Sequence, residues 1–357
     1  MKKINIFNLI NGDFGVDDID TILSSQESLL GYTLINRVCG NVLSHLIKNN
    51  VIDSLSDEFS NNLYTIYNTN IIKTRKFKSN IKYISSILHG CDFSYALLKG
   101  AYLTTQIYEE GLRTSNDIDI LINYTDIMKC QKLLVENGFI QGSYNKINGI
   151  VPATREKIIQ SRMNYGETIP FIKILDEAPL EVDINFSVDF KPSANKTIVK
   201  ELLDNTIDIE FEGYIFKTLN DVDFLIHLCC HLYKEATTYN WVVSKRDLTL
   251  YKFIDINVFL KKFAGESFYK TLIKKIKLFN VEKECYYTLT NSSIIFPGLR
   301  AVTQFENLLI AIKPQNTDFM KQIIWPTKDK IFEYSIDFED WFFCNNRLEK
   351  LKEIIND

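Results

Sequence analysis

Asp117 and Asp119 stand two residues apart in the run Arg113-Thr-Ser-Asn-Asp-Ile-Asp-Ile-Leu-Ile122, and a second acidic pair, Glu181 and Asp183, follows in Leu180-Glu-Val-Asp-Ile184. On a β-strand alternate side chains share a face, so Asp117 and Asp119 project together while Ile118 and Ile120 turn to the core. Carboxylates crowded on one face repel unless a cation neutralises them. Hard divalent cations such as Mg2+ or Mn2+ suit the pattern, because they take oxygen ligands and leave positions for water and phosphate. A third carboxylate from a neighbouring strand completes the layout. Asp183 fills that place, with Glu181 on the same face as the substitute, and it can hold a metal that acidifies an acceptor hydroxyl or take the proton itself.

Upstream, Leu98-Lys99-Gly100 ends a short apolar run. A strand-to-helix turn at a glycine lets phosphates approach backbone N–H groups, and a helix starting at Ala101 adds a favourable dipole. Lys99 and Arg113 would supply positive charge there, and Ser115 a hydroxyl donor.

The elements that must position these groups follow from periodicity. Asp17 to His89 reads as a helical preamble, with breaks at Asn49-Asn50 and at Ser54 to Asp57. A strand from Tyr95, a helix from Ala101 to Glu110 closed by Gly111, the aspartate strand Asp117 to Ile122 and a helix from Thr125 to Asn137 then alternate. Thr168 to Leu175 and Leu180 to Val188 predict a hairpin around Asp176-Glu-Ala-Pro179, with Pro170 restricting the first strand to an edge or a later start. Ile207 to Thr218 suggests one more edge strand bent at Glu212-Gly213. Beyond Asn220, a helix cap, the pattern reads as helical throughout, and Ile331 to Asp357 as a docked helix or a partner surface. The fold class expected is α+β, a small mixed sheet with a helical N-terminal segment (1–90), a core (91–218) and a mainly helical C-terminal domain (219–357).

The 357 residues are 46% hydrophobic and 24% charged, with a formal net charge of −4. That balance provides no global positive field and argues against long nucleic acid as a partner. The basic, then apolar opening Met-Lys-Lys-Ile-Asn-Ile-Phe-Asn-Leu-Ile stops too soon for a signal or a membrane anchor. Seven scattered cysteines lack CxxC spacing and read as small buried hydrophobes in a reducing, cytoplasmic setting. His227 and His231 have the i, i+4 spacing of helical zinc sites, yet a packed or hydrogen-bonded pair is the simpler reading, with Asp255 lining the acceptor side. Lys252 reads as a phosphate ligand or a surface charge. Lys234-Glu235, Lys261-Lys262 and Lys274-Lys275 read as solvated helix faces.

Taken together, the Lys99-Gly100 turn, the Arg-x-Ser-x-Asp-x-Asp strand and the later Val-Asp-Ile resemble the uncharacterised nucleotidyltransferase family of the DNA polymerase beta superfamily. The helical preamble, the His-Leu-Cys-Cys-His helix and Leu250-Tyr-Lys-Phe-Ile-Asp-Ile256 extend the resemblance over roughly Gln26 to Leu260. It implies attack of an acceptor hydroxyl on the α-phosphate of a nucleoside triphosphate (NTP), with Asp117, Asp119 and Asp183 as metal ligands and Lys99, Gly100, Arg113 and Ser115 binding the triphosphate. The acceptor would be a small molecule or peptide. Alternatives are a tRNA- or protein-modifying enzyme and a noncatalytic nucleotide- or peptide-binding module. Two departures stand out: Lys99-Gly100-Ala101 replaces the superfamily's Gly-Ser turn, and Asn185 occupies the place of a frequent histidine.

Overall fold

The computed structural model describes residues 6–12, 20, 22–188 and 196–354. Met1 to Asn5, Asp17 to Ile19 at the head of the expected preamble, and the last three residues lie outside the described residues. α1 (Ile6–Asn11) lies ahead of the expected preamble, which forms α2 (Gln26–Ile35), α3 (Cys39–Lys48) and α4 (Asp57–Leu88). Ser56 caps α4 by accepting from the Phe59 N–H, and Asp57 and Glu58 favour its N-terminal dipole.

Six strands build the central sheet: β1 (Tyr95–Leu97), β2 (Asp117–Ile122), β3 (Ile140–Asn145), β4 (Gly149–Pro152), β5 (Phe171–Leu175) and β6 (Ala178–Asn185), in the order β1-β2-β6-β5-β3-β4. β2 and β6 run parallel, and each other adjacent pair is antiparallel. The sheet is therefore mixed. Short helices α5 (Gly100–Gln106), α6 (Ile127–Glu136) and α7 (Arg155–Tyr165) join these strands. β5 starts directly after Pro170, so it can sit inside the sheet without the missing N–H breaking a ladder. β3, β4 and α7 carry no strong pattern in the sequence: β3 and β4 are half-exposed, and α7 has a single buried residue, Ser161.

Ile207 to Thr218 does not form an edge strand of this sheet. It folds on itself as β7 (Thr206–Phe211) and β8 (Tyr214–Leu219), because Glu212 and Gly213 both take positive φ, 49° and 80°, and reverse the chain in two residues. The Thr218 hydroxyl donates to the Leu97 carbonyl at 2.7 Å, which ties the hairpin to β1. The helix expected from Ala101 to Glu110 stops at Gln106, where the Ile107 and Tyr108 N–H groups both turn back to the Leu103 carbonyl.

Beyond α8 (Lys196–Asp204), the C-terminal half packs α9 (Asp221–Ala236), α10 (Tyr239–Val243), α11 (Leu250–Phe263), α12 (Glu266–Phe279), α13 (Glu282–Ile295) and α14 (Thr303–Ile312). The expectation of helix to the end is corrected there. β9 (Gln322–Trp325), β10 (Lys330–Glu333) and β11 (Lys352–Ile354) form a second antiparallel sheet around the one-and-a-half-turn α15 (Phe338–Phe343). These runs are too short for a helical stripe, and the Trp325 ring stacks on Tyr239 at 4.3 Å.

Two apolar cores result. Ile118, Ile120, Val182 and Ile184 on one sheet face pack against Phe77, Ile81 and Ile84 of α4 and Ile127, Cys130 and Leu134 of α6. The opposite face, which carries the aspartates, looks toward the helical half, whose core also takes in Phe7, Leu43 and Leu63. Cys39, Cys130, Cys229, Cys230 and Cys285 are buried. No helix among the described residues is long and apolar enough to cross a membrane.

Candidate active site

Parallel pairing of β2 with β6 sets Asp117 beside Glu181 and Asp119 beside Asp183. In a parallel pair, residues in register point to the same face, so all four carboxylates emerge together. One oxygen each from Asp117, Asp119 and Asp183 falls within 4.8 Å of the others, a triangle that can hold a metal ion. Glu181 shares the face without joining that group.

The electrostatics fit a cation. Burial, and then the charge of Asp119, hold the Asp117 carboxyl above its ordinary range. Burial, followed by Asp117 and Asp119, raises Asp183 well above it. Asp183 Oδ1 is also buried, with no hydrogen-bond partner among the described residues. A buried acceptor left open in this way is costly unless something binds it.

Lys99 meets the triad from the turn after β1. It sits at φ 44°, an unusual conformation for a residue with a side chain, and its ammonium lies 2.6 Å from Asp119 Oδ1. Burial alone would push the Lys99 pKa down; the charges of Asp119, Asp117 and Glu235 outweigh it and raise it. The Asn185 amide donates to the same Asp119 oxygen at 3.3 Å. At Gly100, an added Cβ would lie 2.3 Å from Ser115 Oγ, so the 113–115 loop closes over the turn only because residue 100 is a glycine.

Arg113 is held differently from a free phosphate ligand. Its Nε and Nη2 donate to both oxygens of Asp255, at 2.9 to 3.1 Å, and its Nη1 donates to the Ser115 hydroxyl. Asp255 is thereby engaged by Arg113, in a buried pair.

Across from the sheet, α9 turns His227, His231 and Glu235 toward the site at intervals of four residues. The two imidazoles stack with centroids 6.2 Å apart. Burial, and then Lys99, hold His227 well below the usual histidine pKa. Glu235 is 9% exposed, with His231 Nε2 at 3.2 Å and Lys252 Nζ at 2.5 Å. Lys234-Glu235 is therefore no solvated face, because α9 is enclosed on nearly every side; Lys252 likewise is buried on an acid. Lys275 is also engaged, with the buried carboxylate of Asp223.

The cavity between sheet and wall measures about 70 Å³ and brings together Lys99, Gly100, Arg113, Ser115, Asp117 and Asp119 of the expected set. Asp183 opens instead into a neighbouring cavity. Arg37, Thr114, Glu235 and Tyr251 also line the site, a place the sequence reading gave to none of them. Glu235 continues the His227, His231 stripe and was within reach of a periodicity argument; Arg37, whose guanidinium donates to the Thr114 carbonyl at 2.7 Å, has no linear signal.

A family model described as an uncharacterised nucleotidyltransferase matches residues 25–297. The chain belongs to this family. The match begins where the resemblance begins and runs past it, through α13. As a nucleotidyltransferase, the protein is a transferase of phosphorus-containing groups. No curated protein matches it. The crystal structure of an antigenic nucleotidyltransferase-like protein from Paracoccidioides brasiliensis is similar over 64% of this chain and 91% of its own, at 14% identity and a TM-score of 0.37, too slight a likeness to argue from.

Proposed function

We propose that this nucleotidyltransferase moves a nucleoside monophosphate from an NTP to a hydroxyl of a small molecule or peptide, releasing pyrophosphate, with Mg2+ or Mn2+ held by Asp117, Asp119 and Asp183. The observation that carries this reading is the β2–β6 register, which converges three carboxylates and leaves one buried oxygen without a partner. A bound divalent ion would polarise the α-phosphate and lower the pKa of the acceptor hydroxyl. The chain's own part is positional. Lys99 and the Gly100 turn, with Ser115 oriented by Arg113, would cradle the leaving phosphates, and Asp183 would face the acceptor. A cavity of about 70 Å³ has room for ions and their waters, so in this reading the base and ribose lie outside it.

The Lys99–Asp119 ion pair gives one argument for a noncatalytic nucleotide-binding module, since it already neutralises part of the acidic face. One experiment separates the readings. Thermal shifts with ATP, GTP, CTP and UTP, with and without Mg2+, should show stabilisation by at least one triphosphate that needs the metal. Asp117→Asn with Asp119→Asn should remove that shift and all pyrophosphate release while leaving the fold intact by circular dichroism. A metal-independent shift that survives the double substitution would favour the binding module.

A further inference from the structure

A second cavity, of about 330 Å³, opens beside Asp183 between α7 and the start of β5. The sheet order places it on the opposite flank from the phosphate turn: the turn follows β1, the triad stands on β2 and β6, and the 167–170 segment runs along the other side of β6. Its lining includes Lys157, Gln160, Ser161 and Tyr165 of α7 together with Thr168 and Asp183.

With Asp183 given to the metal, one further group in it is unsatisfied among the described residues. Thr168 is 2% exposed and its hydroxyl has no hydrogen-bond partner there, although its N–H is fixed on the Ile184 carbonyl at 2.9 Å, one residue from Asp183. Such groups are costly to bury unless a ligand completes them. The walls are braced without a ligand: Lys234 donates to the Tyr165 carbonyl at 2.6 Å and to Glu167 at 3.0 Å, the Ser161 hydroxyl donates to the Glu167 carbonyl, and Asn240 donates to the Tyr165 hydroxyl.

We propose that this cavity is the acceptor subsite and that its ligand is a compact, neutral molecule with several hydroxyls, a polyol or a sugar. The inference rests on the nucleotidyl-transfer reading above. Displacement at phosphorus sets attacker and leaving group in line, so a triphosphate tail at the Lys99-Gly100 turn leaves the Asp183 flank for the nucleophile. There the acceptor oxygen forms a bond to the α-phosphorus, the bond from that phosphorus to the bridging oxygen breaks, pyrophosphate leaves with the electron pair, and the acceptor proton passes to Asp183. An adjacent hydroxyl on the same molecule would pair with Thr168. Among the described residues the floor has no free cation to select an anionic acceptor, because Lys234 is spent on Glu167 and Lys157 stands at the exposed rim. The volume sits at the small end of small-molecule sites, which favours a compact ligand over a peptide chain.

Saturation-transfer NMR on the full chain with glycerol, ribose, glucose, myo-inositol and short serine or tyrosine peptides tests this. At least one polyol should bind the wild type, and both Thr168→Val and the rim substitution Gln160→Trp should weaken it about tenfold. Binding of peptides but of no polyol, absence of any polyol binding, or polyol binding unchanged in both variants would overturn the proposal. Polyol binding lost in both variants, combined with no pyrophosphate release from any NTP with Mg2+, would keep the ligand class and overturn the transfer reading alone.

Discussion

Asp117 and Asp183 each hold a proton more tightly than an ordinary carboxyl, because burial and their acidic neighbours penalise the charged form. A group whose pKa is raised by folding contributes stability that is present below its unfolded value, about 4, and is lost as pH rises toward the folded value. The metal-free protein should therefore lose melting temperature from this source as pH climbs from about 4. A metal must displace the same protons, so the stabilisation by Mg2+ should grow as pH climbs from about 4. Thermal melts across that range, with and without Mg2+, check both slopes, and Asp183→Asn should flatten them. Arg113 with Asp255 tests a different kind of residue. Removing the acid leaves a buried guanidinium unpaired, so Asp255→Ala should cost about 3–5 kcal/mol in urea unfolding, while Arg113→Met with Asp255→Leu should recover most of it. The aspartate pair was legible in the sequence because strand geometry repeats every two residues. The Arg113–Asp255 pair was not, because its partners are 142 residues apart and nothing local to either one names the other.

At the scale of elements, the β5–β6 hairpin was read from its turn residues, and its turn is tighter than the four residues suggested. Leu175 pairs with Ala178, so Asp176 and Glu177 alone make the reversal, at φ 47° and 64°, while Pro179 already belongs to β6. Two central residues at positive φ are the signature of a two-residue hairpin turn that usually recruits Asn and Gly. Glu177→Gly should relieve the left-handed strain, offset in part by the greater freedom of glycine in the unfolded chain, for a net gain of about 0.5–1 kcal/mol in urea unfolding. The turn sets the β5–β6 register, whereas Asp183 stands beside Asp119 through the β2–β6 pairing, so the metal-dependent shift should be unchanged in this variant. The β7–β8 hairpin and the β9–β11 sheet escaped the same reasoning for physical causes. In the first, Glu212-Gly213 looked like a bend within one strand because Ile207 to Phe211 and Tyr214 to Thr218 are alike in composition. In the second, strands of three or four residues give too few alternations to outweigh a helical background.

For the whole molecule, the way distant stretches share a core was not legible in the sequence. Contact between residues 300 apart leaves no periodic trace. One continuous apolar cluster includes Ile6, Phe7 and Leu9 together with Ala96 and Leu121 of the sheet and Trp341 and Phe342 near the C-terminus. The Phe7 ring lies 5.1 Å from that of Phe342 and 5.2 Å from that of Phe343. Trp341 behind them is fully buried and stacked on Tyr334 at 4.0 Å. Closing the two ends of the chain on one core should make unfolding a single event, because neither end keeps its apolar face covered without the other. With Trp241→Phe and Trp325→Phe leaving Trp341 as the sole indole, its fluorescence and far-ultraviolet circular dichroism should show the same urea midpoint. Phe7→Ala should move both midpoints together, by about 3–5 kcal/mol, the cost of emptying a buried phenyl site. A fluorescence midpoint well below the helical one would instead mean that the C-terminal sheet and α15 open on their own, with the site still formed behind them.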